Sequence, residues 1–359
     1  MNARQGSYNL FDKALHYCAF KNVKLQLKLA QYETERYQIH KQNITIDKPV
    51  FITSLPRSGT SILLDVLTKT EKFSFQTYQD MPFIFLPLLW HKFSHKFEKK
   101  VGKIERAHSD GLHINLHSPE AFEEVFFKAF WPQSYQKAQI SIWSESHNLA
   151  YDKFFQCHIQ KLILRDKQKG YLNRTRYISK NNLNISRVKY LSQLFPTATI
   201  LIPFREPLQH AMSLLRQHQN FTLRHESDTF SQRYMADIGH FDFGKNLKPI
   251  NFNNRNETSK YKQNTLNFWL EYWIQAYSYL LDNKTENCTF FSFDLLCESP
   301  MQSLNHLADC LNIEAETVLK SLSIIKKIET HDLEIKSVNK QLIDKAYILQ
   351  NKLLYLSIN

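Results

Sequence analysis

Between residues 50 and 67 the chain reads VFITSLPRSGTSILLDVL, and Arg57, Ser58, Gly59, Thr60 and Ser61 place a cation, a glycine and hydroxyl donors side by side. Such a cluster suits an oxyanion. Residues 50–53 read as a short buried strand, 55–59 as a tight turn and 60–67 as the first turns of a helix, with Ile62, Leu63, Val66 and Leu67 able to face a core. A helix N-terminus collects unpaired N–H groups and the positive end of the helix dipole. A phosphate is the expected occupant.

A second cluster follows the apolar run 199–204, which ends at Arg205 and is followed by Glu206-Pro207 and a helix carrying Ser213. The proline turns the chain, and Ser213 falls on the first turns of that helix, so Arg205 and Ser213 can converge on one anion at the strand's carboxyl end. Taken singly, an arginine at a sheet edge and a serine in a helix mean little. Lys180, at the end of the short apolar segment YISK, is a third cation placed after a strand.

The spacing argues against the common nucleoside-triphosphate loop. In G-x-x-x-x-G-K-[ST] the first glycine would fall at Ser54 and the lysine at Thr60, and neither is present. The PRSGTS turn after an apolar strand resembles instead the 5′-phosphosulfate loop of sulfotransferases that use 3′-phosphoadenosine 5′-phosphosulfate (PAPS). Arg205, the R-x-P turn and a serine eight positions on resemble the 3′-phosphate loop of the same family. The resemblance runs from residue 50 to about 311 and includes FFSFDLLCESP, similar to the segment after the family's last core strand. It is closer to the bacterial, carbohydrate- or tyrosylprotein-sulfotransferase branch than to the phenol and steroid branch.

That resemblance implies a role for each cluster. Arg57 with the N–H groups and hydroxyls of Ser58, Gly59, Thr60 and Ser61 would hold the 5′-phosphosulfate, Lys180 would stabilise the sulfonate, and Arg205 with Ser213 would fix the 3′-phosphate. No metal is required, since arginine and lysine meet the leaving group's charge. The phenol branch carries its basic histidine two positions beyond the lysine, where this chain has Asn182. Carbohydrate and tyrosylprotein members use a glutamate downstream of the first loop; Tyr78 stands at the corresponding place, and the nearest carboxylate, Asp80, is taken as the base. His108, Glu123 and Glu124 are the reserves, as acceptor-binding residues in the segment between the first helix and the next strands.

These clusters need a sheet to bring them together. Strands alternating with helices predict an α/β fold, P-loop-like, with three αβα layers and a central parallel sheet flanked by helices. Residues 1–45 read as an N-terminal helical segment, with Leu10, Phe11, Ala14, Leu15 and Cys18 as its apolar stripe; 46–312 as the α/β domain, with an acceptor-binding insertion at about 73–145; and 313–359 as a helical tail. Within the insertion a helix starts at Ser118-Pro119 with Phe122, Val125, Phe126 and Ala129 inward. Further helices are expected at 157–165, 185–195, 208–220 and 266–281, the last with Trp269, Trp273, Ala276 and Leu280 as core. Strands are expected at 177–179 and 288–293, and Ser299 with Gln302 suggests a capping box. The polar stretch 239–262 reads as a loop, either a cover over a site or a disordered connection.

Composition narrows the partners. The chain has 359 residues, 43% of them hydrophobic, and a formal charge of +12, so a large core and acidic partners are both expected. Five scattered cysteines without a C-x-x-C argue against a disulfide framework, and the first twenty residues contain no long apolar run. A cytoplasmic enzyme without a transmembrane segment is the expectation, with peripheral contact to an anionic membrane compatible with the charge. The acceptor is expected to be a carbohydrate or other hydroxylated molecule. The alternatives are a basic nucleic-acid-binding protein, which lacks a recognisable binding module here, and a P-loop-type nucleotide phosphotransferase, which lacks the lysine. A metal site built from His108, Asp110, His113 and His117 fails the helical H-E-x-x-H pattern, since Ile114 stands where the glutamate belongs.

Overall fold

Strands that are apolar on both sides need cover on both faces. The computed structural model describes residues 10–94, 104–105, 113–114, 116–120, 122–143, 147–252, 259–328, 330–331 and 337–359. Among them are the strands β1 (Val50–Ile52), β2 (Phe73–Ser74), β3 (Ile104–Glu105), β4 (His113–Ile114), β5 (Ile140–Ser141), β6 (Arg176–Lys180), β7 (Thr199–Phe204), β8 (Ile250–Asn251) and β9 (Cys288–Ser292). Five of these form one sheet in the order β2-β6-β1-β7-β9, with every pair parallel. The remaining four make two small pairs, β3 with β4 and β5 with β8.

Alternation along the strands sorts the core into two halves. Val50, Ile52, Ile178, Leu201 and Phe291 pack with Leu63, Val66 and Leu67 of the helix Thr60–Thr68 and with Leu304, Leu307 and Leu311 of the helix Pro300–Leu311. Phe51, Tyr177, Ile200, Ile202 and Phe290 point the other way, against the helices Leu149–Gln168, Pro207–Ser227 and Leu266–Asn283. The result is the expected three-layer αβα sandwich. In its register Ile52 at the end of β1 lies opposite Lys180 of β6 on one side and Leu201 of β7 on the other. The loops that leave these three neighbouring strands therefore open on one edge, where ligands of open α/β sheets bind.

Several local expectations shift. The single N-terminal helix is two, Leu10–Lys21 and Val23–Arg36, and its inward face is not the expected stripe: Ala14 and Cys18 are exposed, while His16, Ala19, Gln26, Ala30 and Glu33 are buried. Glu33 pairs there with Lys161 at 3.1 Å, a polar inward position that hydrophobic spacing does not signal. The helix expected from Ser118-Pro119 begins at Glu123 instead, because Pro119 is drawn into a bridge with Thr77 and Glu120 N donates to Gln76 O at 3.1 Å. Phe127 rather than Ala129 completes its buried stripe. Ser299 does cap the helix Pro300–Leu311 by position, but it makes no side-chain capping bond. The tail packs on the body: Ala346, Leu349 and Leu353 lie in the larger core, and Asn359 Oδ1 accepts from Ser292 N at 2.8 Å.

Candidate functional site

The turn between β1 and its helix is held from behind by buried side chains. Ser58 Oγ donates to Leu55 O at 2.8 Å, and Ser54 Oγ donates to Tyr277 Oη at 2.7 Å, while Tyr277 Oη donates to Pro203 O at 3.0 Å. One tyrosine of the helix Leu266–Asn283 thus ties the β1 turn to the end of β7. His210 does the same from the helix Pro207–Ser227. Its Nδ1 accepts from Trp273 Nε1 at 3.1 Å, which leaves Nε2 to donate to Pro56 O at 2.8 Å. Trp269, Trp273, Ala276 and Leu280 are core residues as expected, but Trp273 and Tyr277 also brace the turn.

Burial, with help from the Arg205 and Arg57 charges, pushes the His210 pKa from 6.5 down to about 3. Between those values the unfolded chain binds a proton that the folded chain refuses, so this contribution to stability is intact above pH 6.5 and is lost as pH falls. The slope reaches about 1.4 kcal/mol per pH unit. We expect His210→Gln, which can keep both hydrogen bonds, to flatten the acid limb of a stability–pH curve measured by urea unfolding between pH 6.5 and 4. An unchanged limb would remove His210 as its source.

Two residues of the turn have left-handed backbone. Gly59 sits at φ +95° as the N-cap of the helix Thr60–Thr68, and a Cβ there would come within 2.1 Å of the Phe293 ring. Arg57 sits at φ 71° with a side chain, a conformation that costs about 1–2 kcal/mol. Its strained backbone carries a guanidinium and a carbonyl that both engage the second loop. Gly59→Ala should destabilise the protein by more than about 1 kcal/mol, readable as a lower melting temperature.

The two predicted anion loops meet. Arg57 Nε donates to Ser213 Oγ at 3.2 Å, and Arg205 Nη1 donates to Arg57 O at 3.1 Å. Arg205 is buried, its guanidinium 5.8 Å from the centre of the Phe293 ring. Burial pulls its pKa down against the opposing pull of Asp294, which itself accepts from Glu206 N at 2.6 Å. The buried Arg205 Nε has no hydrogen-bond partner among the described residues. A buried, unsatisfied N–H on a cation beside the β1 turn is a donor available to an anion.

Lys180 ends β6 beside this cradle, opposite Ile52. The other candidates gather elsewhere. Asp80, taken as the base, is buried with its Oδ1 accepting from Arg165 Nη1 at 2.8 Å and its Oδ2 from Thr77 N at 2.7 Å. Arg165 also binds Phe75 O and Asp166, so Asp80 is part of a buried clamp that closes the chain after β2. Glu123 accepts from Tyr177 Oη at 2.6 Å and from Asn184 Nδ2 at 3.3 Å, and burial raises its pKa. Glu124 is paired with Arg187 at 2.8 Å and accepts from Asn181 Nδ2 at 2.7 Å and from Tyr135. Both glutamates therefore hold the helix Glu123–Phe130 to the strand and loop at Lys180, as supports of the edge where the cradle opens. His108 and Asp110 lie outside the described residues.

The stretch 239–262, read as polar with little to bury, is anchored over its first half. Phe241, Phe243, Ile250 and Phe252 are buried, and β8 pairs with β5; residues 253–258 lie outside the described residues. A cavity of about 700 Å³ bounded by His40, Ile44, Cys157 and Thr197 lies at the opposite, amino-terminal edge of the sheet and takes no part in the cradle. No described helix is long and apolar enough to cross a membrane.

Comparison with known proteins adds a family. A model described as the sulfotransferase family matches residues 49–317, a span that begins just before β1 and ends after the helix Pro300–Leu311. A search of curated proteins finds no match. Among solved structures, sulfotransferase STF9 from Mycobacterium avium is similar at a TM-score of 0.46 and 11% identity, covering 98% of this chain and 86% of that one. Sulfotransferase STF1 from Mycobacterium tuberculosis gives 0.45 and 11%, covering 91% and 82%. A sulfotransferase from Alicyclobacillus acidocaldarius gives 0.38 and 12%, covering 87% and 97%. These three likenesses are loose.

Proposed function

This chain belongs to the sulfotransferase family, whose reaction is sulfonate transfer, and from that premise we propose that its donor is PAPS and its acceptor a hydroxyl, or amine, of a glycan or cell-surface precursor. One observation supports the donor above the others: Arg57, Ser213 and Arg205 form a continuous chain of contacts of 3.2 and 3.1 Å between two loops from neighbouring strands. A single nucleotide with phosphates at both ends of its ribose spans such a pair of loops. The unpartnered Arg205 Nε fits a 3′-phosphate oxygen, and the N-terminus of the helix Thr60–Thr68 with Ser58, Gly59, Thr60 and Ser61 fits the 5′-phosphosulfate.

Sulfonyl transfer parallels phosphoryl transfer, with charge building on the leaving phosphate and on the sulfonate oxygens. In this reading Arg57 and the turn N–H groups meet the first charge and Lys180 the second. Arg205 and Ser213 hold the nucleotide, and the buried props His210 and Tyr277 keep the turn in position before it binds. Asp80 keeps the role of a clamp with Arg165. The acceptor is assigned to the side on which the helix Glu123–Phe130 and the 239–252 segment lie, and the basic surface favours an anionic or phosphorylated precursor.

The test is to incubate the protein with PAPS and a panel of oligosaccharides, lipid-linked sugars and small alcohols, following release of adenosine 3′,5′-bisphosphate. Acceptor-dependent release is expected. Consumption of ATP with PAPS left untouched would favour a phosphotransferase instead.

A further inference from the structure

The carboxylates considered so far are engaged in buried supports, and the loop after the helix Thr229–Asp237 brings another to the edge of β6. In the sequence Phe241-Asp242-Phe243 both rings are buried. Phe241 lies 5.8 Å from the Tyr135 ring, and Phe243 stacks on Phe221 at 6.0 Å with an interplanar angle of 10°. The loop lies against the end of β6: Gly239 packs on the Glu124 side chain, whose Oε2 accepts from Asn181 Nδ2 at 2.7 Å, one residue beyond Lys180. Asp242 stands at a bend between the two anchored rings and is partly exposed.

The groups that act on its carboxyl are those at the end of β6. His240 and Lys180 bear on it by charge, and the Asn182 side chain lies beside it. Glu124 faces it from the helix Glu123–Phe130, and Tyr272 from the helix Leu266–Asn283. We propose that Asp242 is the general base of the transfer, held by its flanking phenylalanines in the loop beside the Lys180 end of β6; this rests on the donor reading above. As the acceptor oxygen bonds to sulfur, the bond from sulfur to the bridging 5′-phosphate oxygen breaks. Its electron pair stays on the phosphate of the released adenosine 3′,5′-bisphosphate, and the acceptor's hydroxyl proton passes to the Asp242 carboxylate. Burial raises the pKa of this carboxyl, with His240 and Lys180 opposing the rise, which makes the carboxylate a stronger proton acceptor than an exposed aspartate.

The proposal is tested with Asp242→Asn, which keeps shape and the flanking rings. Turnover is followed as adenosine 3′,5′-bisphosphate released from PAPS, with water and with simple sugars and alcohols as acceptors. Affinity for adenosine 3′,5′-bisphosphate is measured in parallel by calorimetry. Turnover should fall by about 10²–10⁴-fold, with affinity for the bisphosphate unchanged or a few-fold tighter, because a negative charge beside Lys180 is gone. A second readout needs no acceptor: the parent's affinity should tighten as pH falls through the Asp242 titration, and this part of the pH dependence should vanish in the variant. Near-normal turnover in Asp242→Asn, or a pH dependence of affinity identical to the parent's, overturns the proposal. So does a His240→Asn variant that loses the acid limb of the rate profile while Asp242→Asn retains it. A parent protein that does not bind adenosine 3′,5′-bisphosphate overturns the donor reading itself, and this assignment with it.

Discussion

Arg205→Ala should weaken binding of adenosine 3′,5′-bisphosphate by roughly 10- to 100-fold, the effect of losing a charge-assisted hydrogen bond worth about 1.5–3 kcal/mol. The reason lies in two atoms of one guanidinium. Nη1 is committed to Arg57 O at 3.1 Å, and Nε is buried with no described partner. The substitution therefore removes the proposed phosphate contact and also releases the strained backbone of Arg57, which stands at φ 71°. Arg57→Ala should weaken binding to a similar extent. Because the Arg205 side chain holds the backbone carbonyl of Arg57, the two residues are coupled and the double variant should lose less than the sum of the single losses. Calorimetric titration of the three variants checks this, and unchanged affinity in both single variants would count against the cradle.

The largest expected effect on stability comes from Arg187→Ala. Arg187 is 1% exposed, its Nη2 donates to both oxygens of Glu124 at 2.8 and 2.9 Å, and its guanidinium lies 3.7 Å from the centre of the Phe127 ring and 4.5 Å from that of Trp143. Removing it leaves the Glu124 carboxylate buried with Tyr135 and Asn181 as its remaining hydrogen-bond partners among the described residues. Breaking one side of a buried ion pair costs about 3–5 kcal/mol, which for a chain of this size lowers the melting temperature by roughly 4–7 °C. Pairing Arg187→Met with Glu124→Gln should recover part of the loss, since no charge is then buried alone. A thermal scan of the single and double variants reads both results. A single variant within a degree or two of the parent would mean that Glu124 has another partner.

How much of this was visible beforehand depended on whether the relevant residues carry a local pattern. The β1 turn and the Arg205 loop did, because apolar strands followed by Gly, Pro, Ser and Arg leave few alternatives, and those strands proved to be neighbours in one parallel sheet. Lys180, expected from the family resemblance, ends β6 opposite Ile52. The N-terminal face was misjudged because its buried positions include His16, Gln26 and Glu33, whose partner Lys161 is distant in sequence. Hydrophobic periodicity is silent on such pairs. The spacing of Asp80 from Arg57 along the chain carries no information about Arg165, which binds it from a helix some way downstream.

Other parts were legible in kind but not in use. Trp273 was recognised as core, yet its indole N–H on His210, and through His210 on Pro56, makes it a support of the turn. A ring inside a helical stripe gives no sign of a second task. Asp242 was overlooked for a simpler reason. The asparagines and lysines around it give the segment a polar average, whereas the two phenylalanines that flank it are buried and anchor the loop.

The most direct measurement is a calorimetric titration of the parent protein with adenosine 3′,5′-bisphosphate, adenosine monophosphate and ATP under one buffer condition. The bisphosphate should bind at least 10-fold more tightly than either of the others, because only it offers a 3′-phosphate to Arg205 and Ser213. Equal affinity for adenosine 5′-monophosphate, or a clear preference for ATP, would contradict a cradle built across the two loops.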